Sequence, residues 1–389
     1  MPTFPLKSTV TLAVALALSA AFAPHAAAIE PSGPPAAVKG WRAVTVAKGV
    51  DRPWGMAWLP DGRALVTSKH GKLFVVNGNR FDEVPLEGLP EVFTSGQGGL
   101  LDVSVHPGDK DNPRIYMTLA TGTSSANRTT LVRGTFDGKR VHGIETLFQA
   151  RPDKSGGAHF GSRLAWLPDG TLLMSIGDGG NPPTRIGDRL AREQAQNLAT
   201  HQGSILRLTA DGKAAPGNPL AKRPGALPEI WSMGHRNVQG LAVDKATGQV
   251  WATEHGPRGG DELNLVVAGQ NYGWPLQSYG ADYVTAEPVG QREVPGMVGP
   301  KVAYVPSPAL SGLTVYSGSQ FPQWRGSVFS GAMVGMDIRR IAVDKNGNAV
   351  RQERLEIGAR VRDVKQGPDG HLYALTDEAE GRLLRIVRE

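Results

Sequence analysis

The sequence predicts an all-β fold, a six-bladed β-propeller whose blades are four-stranded antiparallel sheets. Two observations predict this fold. A small-residue approach, an apolar strand, a Pro/Asp/Gly turn and a second strand recur in that order six times along the chain. Glycine is frequent, at 50 of 389 residues, as short strands joined by tight turns require, and no long amphipathic helix pattern interrupts them.

The repeated units follow one another through the chain. They begin at Pro53, Gly96, His159, Asn237, Leu310 and Val361. Their spacing, roughly 45 to 75 residues, is too long for a solenoid repeat and suits blades of four strands. In the third unit, GDRLAREQAQNL at 187–198 indicates a short helix within an insertion. The alternative fold, two β-sandwich domains, predicts no such recurrent pattern.

The N-terminal segment has the pattern of a secretory signal peptide. Lys7 precedes the apolar run VTLAVALALSAAFA, and small residues at 26–28 offer a cleavage site, which predicts a signal peptide at 1–28. The alternative is an uncleaved anchor, although the apolar run is short for a membrane span. We predict a linker at 29–40, the propeller domain at 41–389, and a periplasmic protein without stable membrane insertion.

Composition excludes several kinds of site. The chain has no cysteine, which excludes disulfides, Cys-based zinc sites, iron–sulfur clusters, thiol nucleophiles and CxxCH haem attachment. The formal net charge is +6, but lysines and arginines are dispersed among acidic residues, so no nucleic-acid partner is expected. A monomer or a homodimer is expected.

A histidine and an aspartate are predicted to meet at the start of the third unit. His159 follows a glycine-rich approach, and Asp178 ends the strand that returns from the turn at 169–170. Antiparallel pairing across that turn places Asp178 opposite roughly residue 161, next to His159. A carboxylate beside an imidazole orients the ring and favours its action as a base. We expect Gly156 and Gly157 to leave space above the pair.

Other polar residues occupy the same phase of their repeats, just before the first strand of a blade. They are Gln97, Arg236, Asn237, Arg360 and Arg362. Residues at one phase must lie on one face of a propeller, so these side chains should converge on one channel mouth. Several guanidinium groups around one histidine indicate an anionic ligand.

The segment EHGPRGGDELN at 254–264 raises the question of a metal. Glu254, Asp261 and Glu262 are hard oxygen donors, and a Gly-Pro turn exposes carbonyl groups. Neither HExxH nor the calcium-loop spacing is present. Ligation by oxygen alone with loose spacing indicates Ca²⁺ if any metal binds.

Taken together, the motifs resemble the soluble quinoprotein glucose dehydrogenase family, and most closely its aldose sugar dehydrogenase branch. The motifs are GQGGLLDVSVHP, HFGSRL…IGDGG, WSMGHRN, EHGPRGGDELN, NYGWP and RVRDV…PDGHLYALTD. The similarity runs in order from about Val50 to the C-terminus. It implies a six-bladed propeller that binds pyrroloquinoline quinone (PQQ) and Ca²⁺. It also implies oxidation of aldose sugars at C1 to lactones by hydride transfer to PQQ, after which an external acceptor removes the electrons.

The resemblance implies a role for each matching residue. His159 matches the base that takes the C1 hydroxyl proton, Asp178 its acidic partner, and Arg236 a cation that stabilises the developing oxyanion. The cofactor contacts match Gln97, Arg236, Asn237, Tyr283, Arg360 and Arg362. The active-site calcium ligands match the carbonyls of Gly256 and Pro257, and those of a separate structural calcium match Glu262 and Tyr272.

One position departs from the family pattern. Where the family usually carries a lysine facing the quinone, SGAMVGMDIRR places Val334, so one positive charge is missing unless Arg339 or Arg340 replaces it. Two other functions stay open. A Ca²⁺-dependent propeller lactonase or other hydrolase also needs a His–Asp pair and oxygen ligands, but not three arginine-bearing segments. A non-catalytic propeller that binds a partner needs none of these groups.

Overall fold

Six antiparallel sheets, the blades of a β-propeller, surround a central channel in the computed structural model, which describes residues 28–389. The first strands of successive blades pack against one another all the way around the ring. The predicted fold class is therefore confirmed. The predicted signal peptide at 1–28 lies outside the described residues, apart from its last position.

Each blade is named by its order along the chain, and its strands are given in chain order. Blade 1 contains Pro53–Trp58, Ala64–Ser68, Lys72–Asn77 and Arg80–Val84. Blade 2 contains Leu100–Val105, Arg114–Gly122, Asn127–Phe136 and Val141–Gln149. Blade 3 contains Leu164–Trp166, Leu172–Ile176, Ser204–Leu208 and Ile230–Met233.

Blades 4 to 6 complete the ring. Blade 4 contains Val238–Val243, Val250–Glu254, Asp261–Val266 and Val302–Tyr304. Blade 5 contains Leu310–Val315, Val328–Ala332, Asp337–Val343 and Ala349–Glu356. Blade 6 contains Val361–Gln366, Leu372–Thr376 and Gly381–Arg388, and its outermost strand is Trp41–Val50 from the other end of the chain.

The ring is closed by pairing the two ends of the domain. Trp41–Val50 runs antiparallel to Gly381–Arg388, so blade 6 is built from both ends of the chain. The predicted linker at 29–40 also contacts the propeller, because Ala36–Ala37 adds a parallel fifth strand to blade 5. Among residues 28–389, no helix is long and apolar enough to cross a bilayer.

The insertion in blade 3 contains little regular structure. A two-stranded ribbon, Arg185–Ile186 with Arg189–Leu190, leads into the 3₁₀ helix Ala191–Gln196. The short helix predicted within 187–198 is thus a single 3₁₀ segment. A second 3₁₀ helix, Pro322–Trp324, lies in blade 5.

Apolar side chains fill the space between neighbouring blades. Leu65 and Leu73 of blade 1 pack in one fully buried cluster with Leu100, Ile115 and Met117 of blade 2. Equivalent clusters lie between the other blades. Burial of this apolar surface fixes the blades relative to one another and so fixes the loops at the channel mouth.

Buried charges connect the inner strands beneath that mouth. The Arg163 guanidinium lies 3.3 Å from Asp102 and 3.1 Å from Asp363, and all three side chains are buried. Each carboxylate also accepts a main-chain N–H from the next blade: Asp102 from Leu164 at 2.8 Å and Asp363 from Met56 at 3.1 Å. These contacts tie blades 6, 1, 2 and 3 together.

The channel is so crowded that glycine is required beside both carboxylates. A Cβ atom at Gly312 would lie 1.8 Å from an Asp363 oxygen, and one at Gly55 would lie 2.6 Å from an Asp102 oxygen. Any larger residue at either position would displace a carboxylate from its Arg163 contact. The pattern of small residues before the inner strands therefore has a steric cause.

Candidate active site

His159 and Asp178 are in direct contact at the channel mouth. Their Nδ1 and Oδ1 atoms are 2.6 Å apart, and the His159 side chain is only 3% exposed. The Asp178 carboxylate also accepts the Gly180 main-chain N–H at 2.9 Å and the Trp274 indole N–H at 2.7 Å. With the carboxylate acting as acceptor, Nδ1 carries the proton and Nε2 is left as the basic nitrogen.

The loop that carries His159 is held in an uncommon conformation. His159 has φ +50° and Ser162 φ +88°, both in the left-handed region that non-glycine residues seldom adopt. Gly157 permits a close approach to the 95–97 loop, since a Cβ there would lie 2.7 Å from the Ser95 carbonyl. The expectation that Gly157 leaves open space is therefore wrong, because the glycine serves tight packing. Gly156 has nothing within 4 Å of such an atom.

The electrostatic environment keeps the His159 ring neutral. Burial, reinforced by the nearby Arg236 cation, lowers the pKa of His159 below its ordinary value of 6.5, although Asp178 acts in the opposite direction. A second buried cation, Lys154, lies close by and donates to the Asn127 amide and the Gly156 carbonyl. Burial lowers the pKa of Lys154 to about 7.

A chain of hydrogen bonds joins His159 to the predicted cofactor-binding residues. The Gln97 amide oxygen accepts the His159 main-chain N–H at 2.9 Å and the Asn237 amide at 3.3 Å. Asn237 in turn accepts from Gln239 at 3.2 Å, and the Gln239 oxygen accepts from Arg362 at 3.2 Å. Residues from blades 2, 3, 4 and 6 thus converge at one mouth, as the repeat phase predicted.

Arg236 lies on the same side of the ring as His159. Its carbonyl accepts the Asp178 main-chain N–H at 2.8 Å, and its guanidinium donates to the His255 carbonyl and the Asn181 amide oxygen. The side chain is buried at 3% exposure, and its Nε finds no acceptor among the described residues. An unpartnered buried donor at this position indicates a missing acceptor.

A cavity of about 290 Å³ opens beside these residues. Its walls include Gln97, Phe160, Gly161, Gln239, His255 and Arg362, and Trp54 also contributes. Arg360, Arg362 and Lys69 bring positive charge, which Asp377 alone offsets among the acidic residues that line the cavity. Although burial alone would raise the pKa of Asp377, Arg362 and Arg360 hold it below its ordinary value. The walls therefore favour an anionic ligand.

A second, much smaller cavity lies behind Arg236. Its volume of about 10 Å³ approaches what one water molecule or ion needs, and Glu254, Glu262 and Tyr272 are among its walls. The two glutamates are cross-strand partners, and the Asn264 amide bridges them at 2.9 and 3.1 Å. Burial, reinforced by Glu254, raises the pKa of Glu262 well above its ordinary value.

The Gly256–Pro257 turn follows His255, which lines both cavities, and Gly256 lines the smaller of the two. A Cβ at Gly256 would lie 2.3 Å from the carbonyl oxygens of Gly259 and Gly260, so only glycine fits. Neither the Gly256 nor the Pro257 carbonyl accepts a main-chain hydrogen bond within the described part of the chain. Side chains of residues 28–389 form no cluster of three or more metal-ligating groups.

Comparison with known proteins places these features in a family. The profile described as Glucose / Sorbosone dehydrogenase matches residues 50–385. The chain belongs to the glucose/sorbosone dehydrogenase family. The expected resemblance is therefore confirmed over nearly the whole propeller.

Individual relatives of this family member cover most of its length. It is 38% identical to the aldose sugar dehydrogenase YliI of Escherichia coli over 346 residues, 87% of this chain and 90% of the relative. The crystal structure of the soluble aldose sugar dehydrogenase from Escherichia coli in the apo form superposes with a TM-score of 0.83 at 36% identity, covering 90% of this chain and all of the other. The PQQ-bound aldose sugar dehydrogenase of Streptomyces coelicolor superposes with a TM-score of 0.71 at 29% identity, over 92% of this chain and all of the other.

Some of the predicted residues of this glucose/sorbosone dehydrogenase family member lie apart from the cavity. Tyr283 is 55% exposed on a loop and is not among the residues that line the 290 Å³ cavity. Val334 is 62% exposed. Arg339 pairs with Asp337 at 2.8 Å and Arg340 pairs with Glu353, so both arginines already have carboxylate partners.

Several contributors to the family member's site escaped the sequence analysis, and three of them carry or hold a charge. Trp274 holds Asp178, Lys69 lines the cavity, and Asp377 binds the arginines. Lys69 and Asp377 follow the second strand of a blade, as Asp178 does. This shared position after the second strand could have identified Lys69 and Asp377 from the sequence. Trp274 carried no such signal, because it lies 96 residues from Asp178 along the chain.

A wider groove of about 680 Å³ lies beside the blade 3 insertion. Two of the amides that line it, Gln196 and Asn271, are already paired with each other at 2.7 and 3.0 Å. Neither His159 nor Asp178 lines the groove, whereas Phe160 and Gly161, which follow His159 directly, line the 290 Å³ cavity. The candidate active site of this family member is therefore the 290 Å³ cavity.

Proposed function

We propose that this protein is a periplasmic quinoprotein that oxidises aldose sugars at C1 to lactones. PQQ is its cofactor, Ca²⁺ assists, and an external acceptor takes the electrons. The observation that carries the proposal is the location of a buried His–Asp pair beside a cation-walled cavity. The family and the names of its relatives, an aldose sugar dehydrogenase and a PQQ-bound structure among them, support it.

The residues of the cavity fit PQQ. The cofactor carries three carboxylates, and the cavity offers Arg360, Arg362 and Lys69 to receive them. Two buried guanidinium nitrogens, Nε of Arg236 and Nε of Arg362, have no acceptor among the described residues. A cavity of about 290 Å³ is near the lower end of the range for small-molecule sites, roughly 300 to 1,000 Å³.

His159 provides the proton acceptor for the reaction. Its Nδ1–H is held by Asp178, so Nε2 receives the proton of the sugar C1 hydroxyl, and the Asp178 carboxylate stabilises the imidazolium that forms. Asp178 keeps its orientation through the Trp274 indole and the Gly180 amide. PQQ, when bound, would supply the acceptor for the hydride that leaves C1.

Arg236 is a buried cation beside this pair, since its carbonyl accepts the Asp178 main-chain N–H. Its guanidinium donates to the His255 carbonyl and the Asn181 side chain, which fix its position. Its Cζ atom lies 5.3 Å from the centre of the Trp274 ring. A fixed guanidinium in a buried site stabilises negative charge that develops on a neighbouring oxygen. Gln97 and Asn237 hold the loop of His159 and face the same mouth.

The pH dependence follows from the neutral state of the base. Because burial and Arg236 lower the pKa of His159, the neutral ring predominates at pH 6.5, where a free histidine is half charged. We expect kcat/KM for aldose oxidation to fall only below pH 6.5, on an acid limb set by His159. A pH–rate profile with an acid-limb pKa above 6.5 would contradict this assignment.

Calcium is proposed at two places. The Gly256 and Pro257 carbonyls would hold the active-site ion, and Glu262 with the main-chain carbonyl of Tyr272 would hold a structural ion in the 10 Å³ cavity, whose walls also include Gly256. We assign the main-chain carbonyl of Tyr272 as the ligand, and not its hydroxyl, because the hydroxyl already donates to the Leu265 carbonyl and accepts the Val267 N–H. Carboxylate and carbonyl oxygens are the ligands that Ca²⁺ prefers.

Calcium should therefore stabilise the fold. Ca²⁺ at about 100 times its Kd adds about 2.7 kcal/mol to the free energy of unfolding, so the apo protein should melt several degrees higher with Ca²⁺ than with EDTA. Glu262→Gln should lose most of this difference, whereas Glu193→Gln, at an exposed position, should keep it. Equal calcium responses of the two variants, measured by thermal denaturation, would remove Glu262 from the site.

Reconstitution tests the proposed function. The protein prepared without PQQ should gain dye-linked oxidation of glucose and other aldoses when PQQ and millimolar Ca²⁺ are added together, with lactone as the product. Hydrolysis of lactones in the absence of PQQ would favour the hydrolase. Absence of both activities, together with recovery of a stable partner, would favour a binding protein.

Localisation is a separate test. Expression of the full chain in a Gram-negative host, followed by fractionation, should place the processed protein in the periplasm. Recovery of the full-length chain with the membrane would support the uncleaved anchor instead.

A further inference from the structure

Lys69 is the lysine that lines the cofactor cavity. It follows the second strand of blade 1, where its main-chain N–H donates to the Arg52 carbonyl at 3.0 Å and its carbonyl accepts from Leu100 at 3.2 Å. The side-chain stem lies against Gly99, where a Cβ would come within 2.6 Å of the lysine Cγ. Main-chain hydrogen bonds and the contact with Gly99 therefore position the Lys69 side chain at the cavity wall.

The ammonium group has no carboxylate partner within the described residues. It donates to the Gly96 carbonyl, a neutral acceptor. The nearby carboxylate, Asp377, is taken by three guanidinium groups: Arg52 at 3.6 Å, Arg360 at 3.4 Å and Arg362 at 3.3 Å. Burial, together with the Arg362 charge, lowers the pKa of Lys69 below its ordinary value. The cavity wall is therefore an unfavourable place for this charge unless an anionic ligand faces it.

The charges on the cavity walls indicate what kind of ligand would balance the Lys69 charge. Lys69, Arg360 and Arg362 are three cations, and Asp377 is one anion, so the lining has two positive charges in excess. A ligand with at least two carboxylates balances the excess. Val334 carries no charge, and Arg339 and Arg340 are already paired with carboxylates, so none of the three can replace the Lys69 cation.

We infer that Lys69 binds a carboxylate of the cofactor and gives this protein a cation from blade 1. The inference rests on the proposed function, in which the anionic ligand is PQQ. Lys69 thereby provides the positive charge that is missing at the position of Val334. Its role is in cofactor affinity, since no contact of Lys69 with His159 or Asp178 is present among the described residues.

Equilibrium binding tests this inference without reference to turnover. PQQ is titrated into the apo protein with Ca²⁺ present, and binding is followed by quenching of tryptophan fluorescence, to which Trp54 in the cavity wall contributes. Lys69→Gln should raise the Kd for PQQ about 10- to 100-fold, the range for loss of one charge-assisted contact. Lys69→Arg, which keeps the charge, should stay closer to wild type.

Two comparisons make the result specific. Lys72→Gln removes an exposed lysine three residues away, paired with Glu83 at 2.8 Å, and should leave the Kd unchanged. The trimethyl ester of PQQ carries no carboxylate charge, so Lys69→Gln should weaken its binding far less than it weakens binding of PQQ.

The outcomes separate the two proposals. If wild type binds PQQ and Lys69→Gln binds it equally well, the role of Lys69 is overturned and the proposed function stands. If Lys69→Gln weakens PQQ and its trimethyl ester alike, the contact is not to a carboxylate and the inference is also overturned. If wild type binds no PQQ, the proposed function itself fails.

Discussion

Replacement of His159 by asparagine is expected to reduce kcat for aldose oxidation about 10²- to 10⁴-fold, the usual contribution of a positioned general base. Asparagine tolerates the left-handed backbone conformation at this position, φ +50°, and can still donate to Asp178. It cannot take up a proton from the sugar. Steady-state kinetics of the reconstituted variant measure the loss.

The affinity for cofactor separates a catalytic effect from a structural one. His159 is not among the residues that line the 290 Å³ cavity, so the PQQ Kd of His159→Asn should stay within a few-fold of wild type. His142→Asn is the matched control, since His142 lies on the outermost strand of blade 2. Retention of more than a tenth of kcat by His159→Asn would exclude its role as the base.

Replacement of Arg163 by leucine is expected to cost about 3 to 5 kcal/mol in the free energy of unfolding, the usual effect of removing one partner from a buried ion pair. The change leaves the buried Asp363 carboxylate without its ion-pair partner and leaves the buried Asp102 carboxylate with Lys365 alone, at 3.9 Å. It also removes the donor to the Arg362 carbonyl and the cation that lies 4.1 Å from the Trp54 ring centre. Urea unfolding measures the difference.

An exposed arginine provides the comparison. Arg140→Leu breaks pairs with Glu87 and Asp137, but the Arg140 side chain is 51% exposed, and such pairs contribute roughly 0 to 1 kcal/mol. If Arg163→Leu unfolds at the same urea concentration as Arg140→Leu, the charges in the channel do not hold the blades together.

Local sequence was sufficient to predict the blades. The structure begins the first strands at Pro53, Leu310 and Val361, where three of the units were predicted to begin, and within a few residues of the other three. Each unit signals its own first strand and turn, because alternation and turn residues act over short distances. The His159–Asp178 contact followed from the same hairpin register.

Long-range closure could not be predicted in this way. The strand Trp41–Val50 completes blade 6 only because the ring brings the two ends of the domain together. Trp274 reaches Asp178 from the loop between the third and fourth strands of blade 4, and nothing in NYGWP indicates that contact. Tertiary contacts between distant segments leave no periodic trace in the sequence.

The position of Lys69 lies between these cases. The phase argument was applied to residues before the first strand of each blade, and it found Gln97, Asn237 and Arg362. The ends of the second strands face the same mouth and carry Lys69, Asp178 and Asp377. Polar residues therefore reach the mouth of this propeller both before the first strands and after the second strands. The second set includes Lys69, the lysine in the cavity wall.

A crystal structure of the protein soaked with PQQ and CaCl₂ tests the central claim most directly. We expect planar density in the cavity bounded by Gln97 and Arg362, with carboxylates at Arg360, Arg362 and Lys69. We also expect a cation at the Gly256 and Pro257 carbonyls. Planar density on another face of the ring, or an empty cavity at saturating PQQ, would contradict the assignment of this mouth as the quinone site.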